Sequence, residues 1–348
     1  MGGVDARAVD SLTASVRLGA VRALAPLAGG ANNRVFRVET SSTVALLKSY
    51  FRHPDDPRDR LATEFAFSQF AWQNGVRCIP QPLVCDRAAG LALFEFVFGR
   101  SLAGSTAGEA AVDQAIDFYR TLNRAKHHAD ASALPAASES CFSLDDHFAT
   151  VARRVTRLKT ISVGNQLDVA ARSFVETDLV DTWTRVLAEA RRSAAAARLK
   201  FDVPLDAANR CLSPSDFGFH NALLANDGRL RFIDFEYAGW DDPSKLVCDF
   251  FCQPAVSAPI GAFQRFAHAV AAELPDPELH IARATLLFPV YRVKWVCIML
   301  NEFLPVGSSR RTFSTAAELE SRKLNQLAKA RAALAAIDSP SLSARKVA

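Results

Sequence analysis

The sequence predicts an α+β fold with a small strand-rich N-terminal lobe and a larger, mainly helical C-terminal lobe. Over the first hundred residues, short apolar runs alternate with turn residues, which is typical of β-strands. After Gly99 the sequence changes to long Ala- and Arg-rich stretches with helical spacing. One segment interrupts that spacing, because two apolar runs flank Asn226-Asp227-Gly228, a strong hairpin signal. We therefore expect lobes at residues 1–98 and 99–348, with a cleft between them where a small molecule binds.

Five apolar runs of the N-terminal lobe are predicted to be strands. They are Val21 to Leu27, Arg34 to Glu39, Thr43 to Tyr50, Gln81 to Cys85 and Leu91 to Phe96. In the third run, Lys48 shares one face with Leu46 and Tyr50, because side chains alternate along a strand. Between the third and fourth runs, the Phe- and Ala-rich segment 58–74 predicts a helix that ends at Gly75, a typical helix stop.

Helical spacing predicts seven helices in the C-terminal lobe. Thr106 to Glu109 fits a capping box at the start of the first helix, which extends to about Ala129. The other six are expected at Asp145 to Ile161, Ala170 to Leu199, Asp242 to Pro254, Pro259 to Leu274, Pro277 to Phe303 and Thr315 to Ile337. Pro289 lies inside one of them and should kink or divide it, since proline cannot donate the helical hydrogen bond.

Composition restricts the class of protein. The 348 residues are 49% hydrophobic and 22% charged with a net charge of +4, which is ordinary for a globular protein and too apolar for a disordered one. Seven cysteines occur without a C-x-x-C pair, so neither a disulfide framework nor a zinc site is indicated. The N-terminus has no apolar signal segment, and charged residues interrupt the most apolar late stretch, 284–304. We expect a cytoplasmic protein with neither membrane nor nucleic-acid partners.

Three oxygen-bearing side chains flank the predicted hairpin. Asp216 precedes Asn221 by five residues, and Asn221 precedes Asp234 by thirteen. Asn221 and Asp234, on facing hairpin strands, have the oxygen atoms that Mg²⁺ prefers, and Asp216 could accept a proton from an attacking hydroxyl. Phosphoryl transfer requires little more than such positioning and charge neutralisation. The alternative is that Asp216 and Asn221 are turn residues bonded to nearby backbone, but the addition of Asp234 favours the catalytic interpretation.

A second candidate site lies in the N-terminal lobe. Gly29 and Gly30 lie between two predicted strands and allow the backbone to approach a phosphate group, although a plain hairpin turn is the alternative. Lys48 could neutralise phosphates if Glu64 on the following helix held it, whereas an exposed lysine and glutamate are the simpler interpretation. The absence of any G-K-[ST] sequence and of a Rossmann fingerprint excludes a P-loop enzyme and a dinucleotide oxidoreductase.

The candidate segments occur along the chain as a Gly-rich segment, a lysine, a glutamate, a connector, an Asp/Asn pair and a final Asp. Segments in this order resemble the aminoglycoside phosphotransferase and choline kinase-like family of small-molecule kinases. The resemblance covers residues 20–305 and is most specific in S-D-F-G-F-H-N-A-L-L, in I-D-F-E-Y-A-G-W-D-D-P and in the connector L-F-E-F-V-F-G-R-S-L. It implies a protein kinase-like two-lobe fold. A small antiparallel-sheet lobe with one helix binds the nucleotide, and a helical lobe carries the catalytic loop, the metal site and the acceptor site.

The resemblance also implies roles for single residues. Those implied for nucleotide binding are Gly29, Gly30, Asn32, Asn33, Lys48, Glu64, Glu95 and Val97. Within this set, Lys48 contacts the α- and β-phosphates with Glu64 behind it, and the backbone of residues 95–97 receives adenine. Asp216 is the implied catalytic base, and Asn221 and Asp234 are the implied magnesium ligands.

The catalytic loop departs from the family pattern. Where the family has His-Gly-Asp, this chain has Pro214-Ser215-Asp216, and the family's next histidine is replaced by Gly218. A histidine occurs instead at position 220, where it either contacts phosphate or packs in the loop. Glu236 either faces the metal region or lies at the surface.

The sequence therefore predicts a kinase that uses ATP and Mg²⁺ and transfers the γ-phosphate to a hydroxyl of a small molecule. The alternative is a nucleotide-binding pseudokinase that acts as an interaction module. The loss of the loop histidine favours that alternative, while the presence of the base and both metal ligands favours the enzyme.

Charge near the C-terminus indicates the class of acceptor. Residues 276–348 contain eleven basic and six acidic side chains, a balance of +5. A positive surround attracts anions and repels cations, so we expect a neutral or anionic, sugar-like acceptor. Arg292 and Lys294 interrupt an apolar helical stretch, and one or the other is expected near the acceptor.

Overall fold

The computed structural model describes residues 4–27, 33–51, 58–103, 106–304 and 316–338. The chain divides into two compact units. The first comprises Met1–Ser140, Cys211–Asp241 and Ala255–Ala258, and the second comprises Cys141–Arg210, Asp242–Pro254 and Pro259–Ala348. The described strands all belong to the first unit, and the second is helical. The predicted division into lobes at residue 98 stays a prediction.

Five antiparallel strands form the N-terminal sheet of the first unit. They are β1 (Val21–Leu27), β2 (Asn33–Thr40), β3 (Val44–Tyr50), β4 (Pro82–Asp86) and β5 (Leu91–Glu95). Their order is β1-β2-β3-β5-β4, so β3 is the central strand. Lys48 on β3 is paired with Val35 of β2 on one side and with Ala92 of β5 on the other. The five predicted strands and the α+β class are confirmed.

Side chains of β3 alternate between two apolar clusters, because successive residues of a strand point to opposite faces. The helices that contribute to these clusters are α1 (Ala6–Ser15) and α2 (Arg60–Gln73). Leu47 packs in one cluster with Leu12 of α1, a helix that sequence patterns did not predict. Tyr50 packs in the other with Leu61 of α2, the predicted helix. Lys48 has the same parity as Tyr50, so it points to the α2 face.

Helix α2 ends at the predicted glycine. Gly75 has φ +87°, a left-handed conformation that glycine adopts without the steric cost of a Cβ atom. The backbone N–H of Gly75 donates to Trp72, and that of Val76 donates to Ala71. This pair of bonds is a Schellman motif, which satisfies two carbonyls that the helix end leaves free.

Two small sheets hold the segment that was predicted to carry the site. The strands are β6 (Gly99–Ser101), β7 (Cys211–Ser213), β8 (Ala222–Ala225), β9 (Leu230–Phe232) and β10 (Gly239–Asp241). Strands β6, β8 and β9 form one sheet, and β7 pairs with β10 in the other. The predicted hairpin is confirmed as β8 and β9, and its turn contains Gly228 at φ +76°.

Helix α3 (Glu109–Arg124) belongs to the first unit and contacts strand β7 of this segment. It ends five residues before the predicted Ala129, and its N-cap is Gly108 without a side-chain bond, so the predicted capping box does not form. Its buried Asn123 accepts from the backbone N–H of Leu212 at 2.8 Å and donates to the carbonyl of Leu212 at 3.0 Å. A single amide group thereby satisfies both backbone groups of a β7 residue.

Phenylalanines next to the candidate site residues anchor the loop between β7 and β10. Phe118 of α3 stacks on Phe232 with ring centroids 5.0 Å apart, and Phe217 and Phe235 also pack against it. Each of these aromatic side chains removes a large apolar area from water. Because Phe217 follows Asp216 and Phe235 follows Asp234, this packing restrains the backbone that carries both carboxylates.

The second unit is built from helices. They are α4 (Leu144–Leu158), α5 (Gln166–Phe174), α6 (Val180–Ala196), α7 (Pro243–Cys252), α8 (Phe263–Ala271), α9 (Pro277–Met299) and α10 (Ala316–Ala335). Helix α9 packs against α4, α6, α7, α8 and α10. It continues through Pro289 and is not divided there. A turn of π-helix at Val175–Leu179 joins α5 to α6, where a single helix was predicted.

The two cations that interrupt the apolar stretch of α9 have partners within the second unit. Lys294 is buried and donates to both carboxylate oxygens of Asp249, at 2.8 and 2.9 Å. Arg292 donates to the carbonyls of Ala336 and Ile337 at 2.6 and 3.3 Å. These contacts account for the presence of both charges in an apolar helix, since buried charges require pairing. No helix in the described part of the chain is both long and apolar enough to cross a bilayer.

A buried ionic cluster in the second unit contains His147 of α4. Its Nε2 atom lies 3.0 Å from Asp242 Oδ2 and its Nδ1 atom lies 2.7 Å from the hydroxyl of Tyr291. Arg283 also donates to Asp242. Burial lowers the pKa of a histidine, but here hydrogen bonding to Asp242 outweighs it and raises the pKa of His147 to about 9.

We expect this histidine to make folding stability depend on pH. Because its folded pKa lies above the unfolded value of about 6.5, its stabilisation is complete below pH 6.5 and is lost as pH rises through about 9. The loss is on the order of 3 kcal/mol, from about 1.4 kcal/mol per pKa unit. Urea unfolding of wild type and of His147→Gln between pH 6 and pH 10 tests this. The exposed His268→Gln is the control, and equal slopes for all three proteins would contradict the assignment.

Candidate active site

A buried lysine joins two carboxylates that lie far apart in the sequence. Lys48 Nζ lies 2.6 Å from Glu64 Oε1 and 3.0 Å from Asp234 Oδ1. The Lys48 side chain is 9% exposed and that of Asp234 is 36% exposed, so the ammonium is enclosed while the second carboxylate faces solvent. Sequence reasoning proposed the Lys48–Glu64 pair, and the structure adds Asp234 to it.

The two carboxylates keep Lys48 charged. Burial alone lowers the pKa of an ammonium group. The negative charges of Asp234 and Glu64 outweigh that effect and raise the pKa of Lys48 above its usual value. A fixed positive charge is therefore present at this point across the physiological pH range.

Glu64 connects three segments of the first unit. Its Oε1 atom accepts from Lys48 and, at 3.3 Å, from the backbone N–H of Phe235. Its Oε2 atom accepts from the hydroxyl of Tyr50 at 2.6 Å. Sequence reasoning missed the contribution of Tyr50, although the period of two had placed it on the same strand face as Lys48. Glu64 consequently holds both the lysine and the backbone next to Asp234.

The catalytic-loop candidates form a second cluster in the same unit. Asn221 donates from Nδ2 to the Asp216 carbonyl at 2.9 Å and to Asp216 Oδ2 at 3.2 Å. His220 Nε2 lies 3.1 Å from Asp216 Oδ1. The Asp216 side chain is 39% exposed, so it is held by two neighbours and still reaches solvent.

Left-handed backbone occurs beside both candidate carboxylates. Ser215 has φ +67° and Asp234 has φ +69°, values that non-glycine residues rarely adopt. Ser213 Oγ accepts from the Ser215 N–H at 3.0 Å, which supports the first of these turns. Conformations of this kind cost about 1–3 kcal/mol and cluster at functional sites.

Most of the predicted site residues line one cavity of about 510 Å³ within the first unit. Those that line it are Asn33, Lys48, Glu64, Glu95, Val97, Asn221 and Asp234. Asp216 does not line it but is bonded to His220 and Asn221, which do. The apolar part of the lining includes Leu27, Val35, Leu46, Phe94, Phe96 and Leu223. The predicted residues Gly29, Gly30 and Asn32 lie outside the described residues.

Glu236 is buried, which decides between its two sequence-based interpretations. It is 3% exposed, lines the same cavity and accepts from Asn33 Nδ2 at 2.7 Å. Arg60 of α2 lies 3.8 Å from its other oxygen. The contact connects the start of β2 with the segment after Asp234. Sequence reasoning had no signal for the Arg60 contact, since Arg60 and Glu236 are distant in the chain.

The donor set at the polar end of the cavity fits a magnesium ion. Asn221 uses its amide nitrogen for Asp216, which leaves the amide oxygen as the ligand atom, and Asp234 presents a partly exposed carboxylate. Mg²⁺ prefers such oxygen ligands, and proteins commonly supply only one or two carboxylates while phosphates supply the rest. Asn221 and Asp234 are the residues that would hold it.

Solved structures with the same fold bind small molecules. Spectinomycin phosphotransferase APH(9)-Ia in its AMP-bound complex has a TM-score of 0.62 at 11% identity, covering 96% of this chain and 99% of that chain. Choline kinase LicA from Streptococcus pneumoniae has a TM-score of 0.58 at 14% identity, covering 95% and 98%. A thermostable mutant of aminoglycoside phosphotransferase APH(4)-Ia, with AMP-PNP and hygromycin B, has a TM-score of 0.53 at 17% identity, covering 95% and 99%.

Sequence comparison also assigns this chain to a family. No curated protein matches this chain. The model of the phosphotransferase enzyme family (APH), however, matches residues 23–278, which include both carboxylate clusters and all of the N-terminal sheet except the first two residues of β1. The match extends over more than half of the chain, and the fold agrees with it. This chain belongs to the phosphotransferase enzyme family.

Proposed function

We propose that this protein is a kinase that transfers the γ-phosphate of ATP to a hydroxyl of a small molecule, with Mg²⁺ as its cofactor. The observation that supports it best is Lys48, held at 2.6 Å by Glu64 and at 3.0 Å by Asp234 in one cavity with Asn221. A positive charge beside a candidate metal site is suited to the polyphosphate of a nucleotide. The nucleotide complexes of the structural relatives support the same ligand class.

In this proposal the residues that line the cavity bind the nucleotide. Lys48 binds the α- and β-phosphates, Glu64 fixes it in place, and the backbone of residues 95–97 receives adenine. Asn33 and the glycine-rich segment containing Gly29, Gly30 and Asn32 cover the phosphates. Asn221 and Asp234 would hold Mg²⁺, which would supply positive charge to offset that of the phosphates.

Asp216 is the proposed base. The acceptor hydroxyl loses its proton to a carboxylate oxygen of Asp216 while its oxygen forms a bond to the γ-phosphorus. The bond between that phosphorus and the bridging oxygen breaks, and ADP leaves with the electron pair. The carboxylate suits this role because it is partly exposed and because His220 and Asn221 hold its two oxygens in a fixed orientation.

A γ-phosphate transfer screen tests the proposal. Purified protein is incubated with labelled Mg·ATP and, separately, with aminoglycosides, amino alcohols, sugars and nucleosides, and Asp216→Asn serves as the inactive reference. We expect transfer to at least one class. Tight Mg·ATP binding without transfer to any acceptor would favour the pseudokinase, for which Pro214 in place of the family histidine is the supporting observation.

We further propose a neutral or anionic, sugar-like acceptor. The supporting observation is the balance of +5 over residues 276–348, because positive surroundings repel polycations. Lys294 and Arg292 add no support, since Asp249 and backbone carbonyls engage them.

This second proposal gives a prediction about substrate preference. We expect turnover with a sugar or a phosphorylated small molecule to exceed turnover with a kanamycin-like polyamine, and the difference to shrink as salt screens the charges. The measurement is kcat/KM for each acceptor at low and at high ionic strength. Efficient phosphorylation of the polyamine with none of the sugars would show the acceptor class to be wrong.

A further inference from the structure

We propose that His220 is a positioning residue that fixes the carboxylate of Asp216 for proton transfer. The proposal rests on the proposed function, because Asp216 must be the base for its orientation to matter. His220 has its Nε2 atom 3.1 Å from Asp216 Oδ1. An ionised carboxylate only accepts hydrogen bonds, so Nε2 carries the hydrogen and donates it.

The second oxygen of Asp216 is held by a different residue. Asn221 donates to Oδ2 at 3.2 Å and also to the Asp216 carbonyl at 2.9 Å. Because His220 donates to one oxygen and Asn221 to the other, rotation of the carboxylate about its terminal bond breaks a hydrogen bond. Loss of His220 would remove its donor from Oδ1 of this partly exposed carboxylate and leave the Asn221 donor on Oδ2.

The other ring nitrogen of His220 indicates which tautomer is present. Nδ1 is buried and has no hydrogen-bond partner among the described residues. A hydrogen on Nδ1 would be a buried donor without an acceptor, which costs more than an unused lone pair on a ring nitrogen. The contact with Asp216 therefore places a hydrogen on Nε2, where it has an acceptor.

The local fold explains why a histidine can reach Asp216 from position 220. One turn of 3₁₀ helix covers Phe219–Asn221, and the N–H of Asn221 donates to the Gly218 carbonyl at 3.1 Å. The turn returns the chain toward Asp216, four residues earlier, while Phe219 is buried at 1% exposure and anchors it. Pro214, which occupies the place of the family histidine, has no side-chain donor to offer Asp216.

The experiment compares His220→Ala with His220→Gln, in which the amide nitrogen of Gln can occupy the place of Nε2. We expect His220→Ala to lower kcat about 10²-fold, the scale of a 1 Å misplacement of a reacting group, with KM for ATP unchanged. We expect His220→Gln to recover most of that loss. The exposed His268→Ala is the control, and thermal unfolding of each variant verifies that it folds.

A second measurement does not depend on turnover. Nitrogen-15 NMR of histidine-labelled wild type at neutral pH should show the His220 ring with hydrogen on Nε2, and His220→Gln identifies that signal by its absence. A ring with hydrogen on Nδ1 and none on Nε2, or a kcat of His220→Ala within threefold of wild type, would overturn the proposal. Failure of the wild type to phosphorylate any acceptor would instead contradict the proposed function, and the NMR spectrum would still decide whether the contact exists.

Discussion

Replacing Asp216 by Asn is expected to lower turnover by about 10²–10⁴-fold, the usual contribution of a general base. The amide has nearly the same shape as the carboxylate but cannot take up the hydroxyl proton. Mg·ATP affinity should stay close to that of wild type, because the cavity-lining groups that contact nucleotide in our proposal are unchanged. Single-turnover transfer rates and equilibrium nucleotide binding measure the two effects separately.

A matched control for this variant is available in the hairpin of β8 and β9, which follows Asp216 in the chain. Asp227 lies at its turn with a side chain that is 48% exposed, and Asp227→Asn should retain wild-type turnover. If Asp216→Asn stayed within threefold of wild type, Asp216 would not be the base.

Replacing Asp234 by Ala is expected to abolish the dependence of nucleotide binding on Mg²⁺. Asp234 presents the more exposed of the two carboxylates around Lys48, and its loss removes the charged ligand from the candidate metal site. We expect nucleotide affinity in the presence of Mg²⁺ to fall at least about tenfold, or 1.4 kcal/mol. Calorimetric titration with ATP, with and without Mg²⁺, measures this.

Two comparisons isolate the metal effect from a general loss of structure. Asp227→Ala removes an exposed carboxylate from the same hairpin and should leave Mg²⁺-dependent binding intact. Lys48→Ala should weaken nucleotide binding both with and without Mg²⁺, because it removes charge from the phosphates and leaves the metal ligands in place. Mg·ATP affinity equal to wild type in Asp234→Ala would exclude Asp234 as a ligand.

Features with a local cause could be predicted from the sequence. Alternation along β3 placed Lys48 and Tyr50 on one face, because a strand has a period of two. Gly75 ended α2, because its left-handed φ depends on that residue alone. Asn226-Asp227-Gly228 formed the hairpin turn for the same kind of reason. Each of these depends on the conformational preferences of a few consecutive residues.

One pairing of charged side chains could be predicted from the sequence. Resemblance paired Lys48 with Glu64, and the structure contains that pair. A separate argument expected Arg292 or Lys294 near an acceptor, because each interrupts an apolar stretch. The structure pairs Lys294 with Asp249 and Arg292 with helix-terminal carbonyls, and their position relative to an acceptor stays a prediction. A buried charge requires a partner, but sequence alone does not identify it.

The contacts that close the candidate site were determined by tertiary structure. Lys48 meets Asp234 across 186 residues, and Asn33 meets Glu236 across 203. His220 donates to Asp216 only because a 3₁₀ turn and a buried Phe219 return the chain to it. Sequence patterns report which face a side chain occupies, since that depends on local backbone geometry. The partner that a side chain meets depends on the packing of segments that are remote in the chain. The residue types of the site and their chemistry were therefore predictable from the sequence, while these pairings were not.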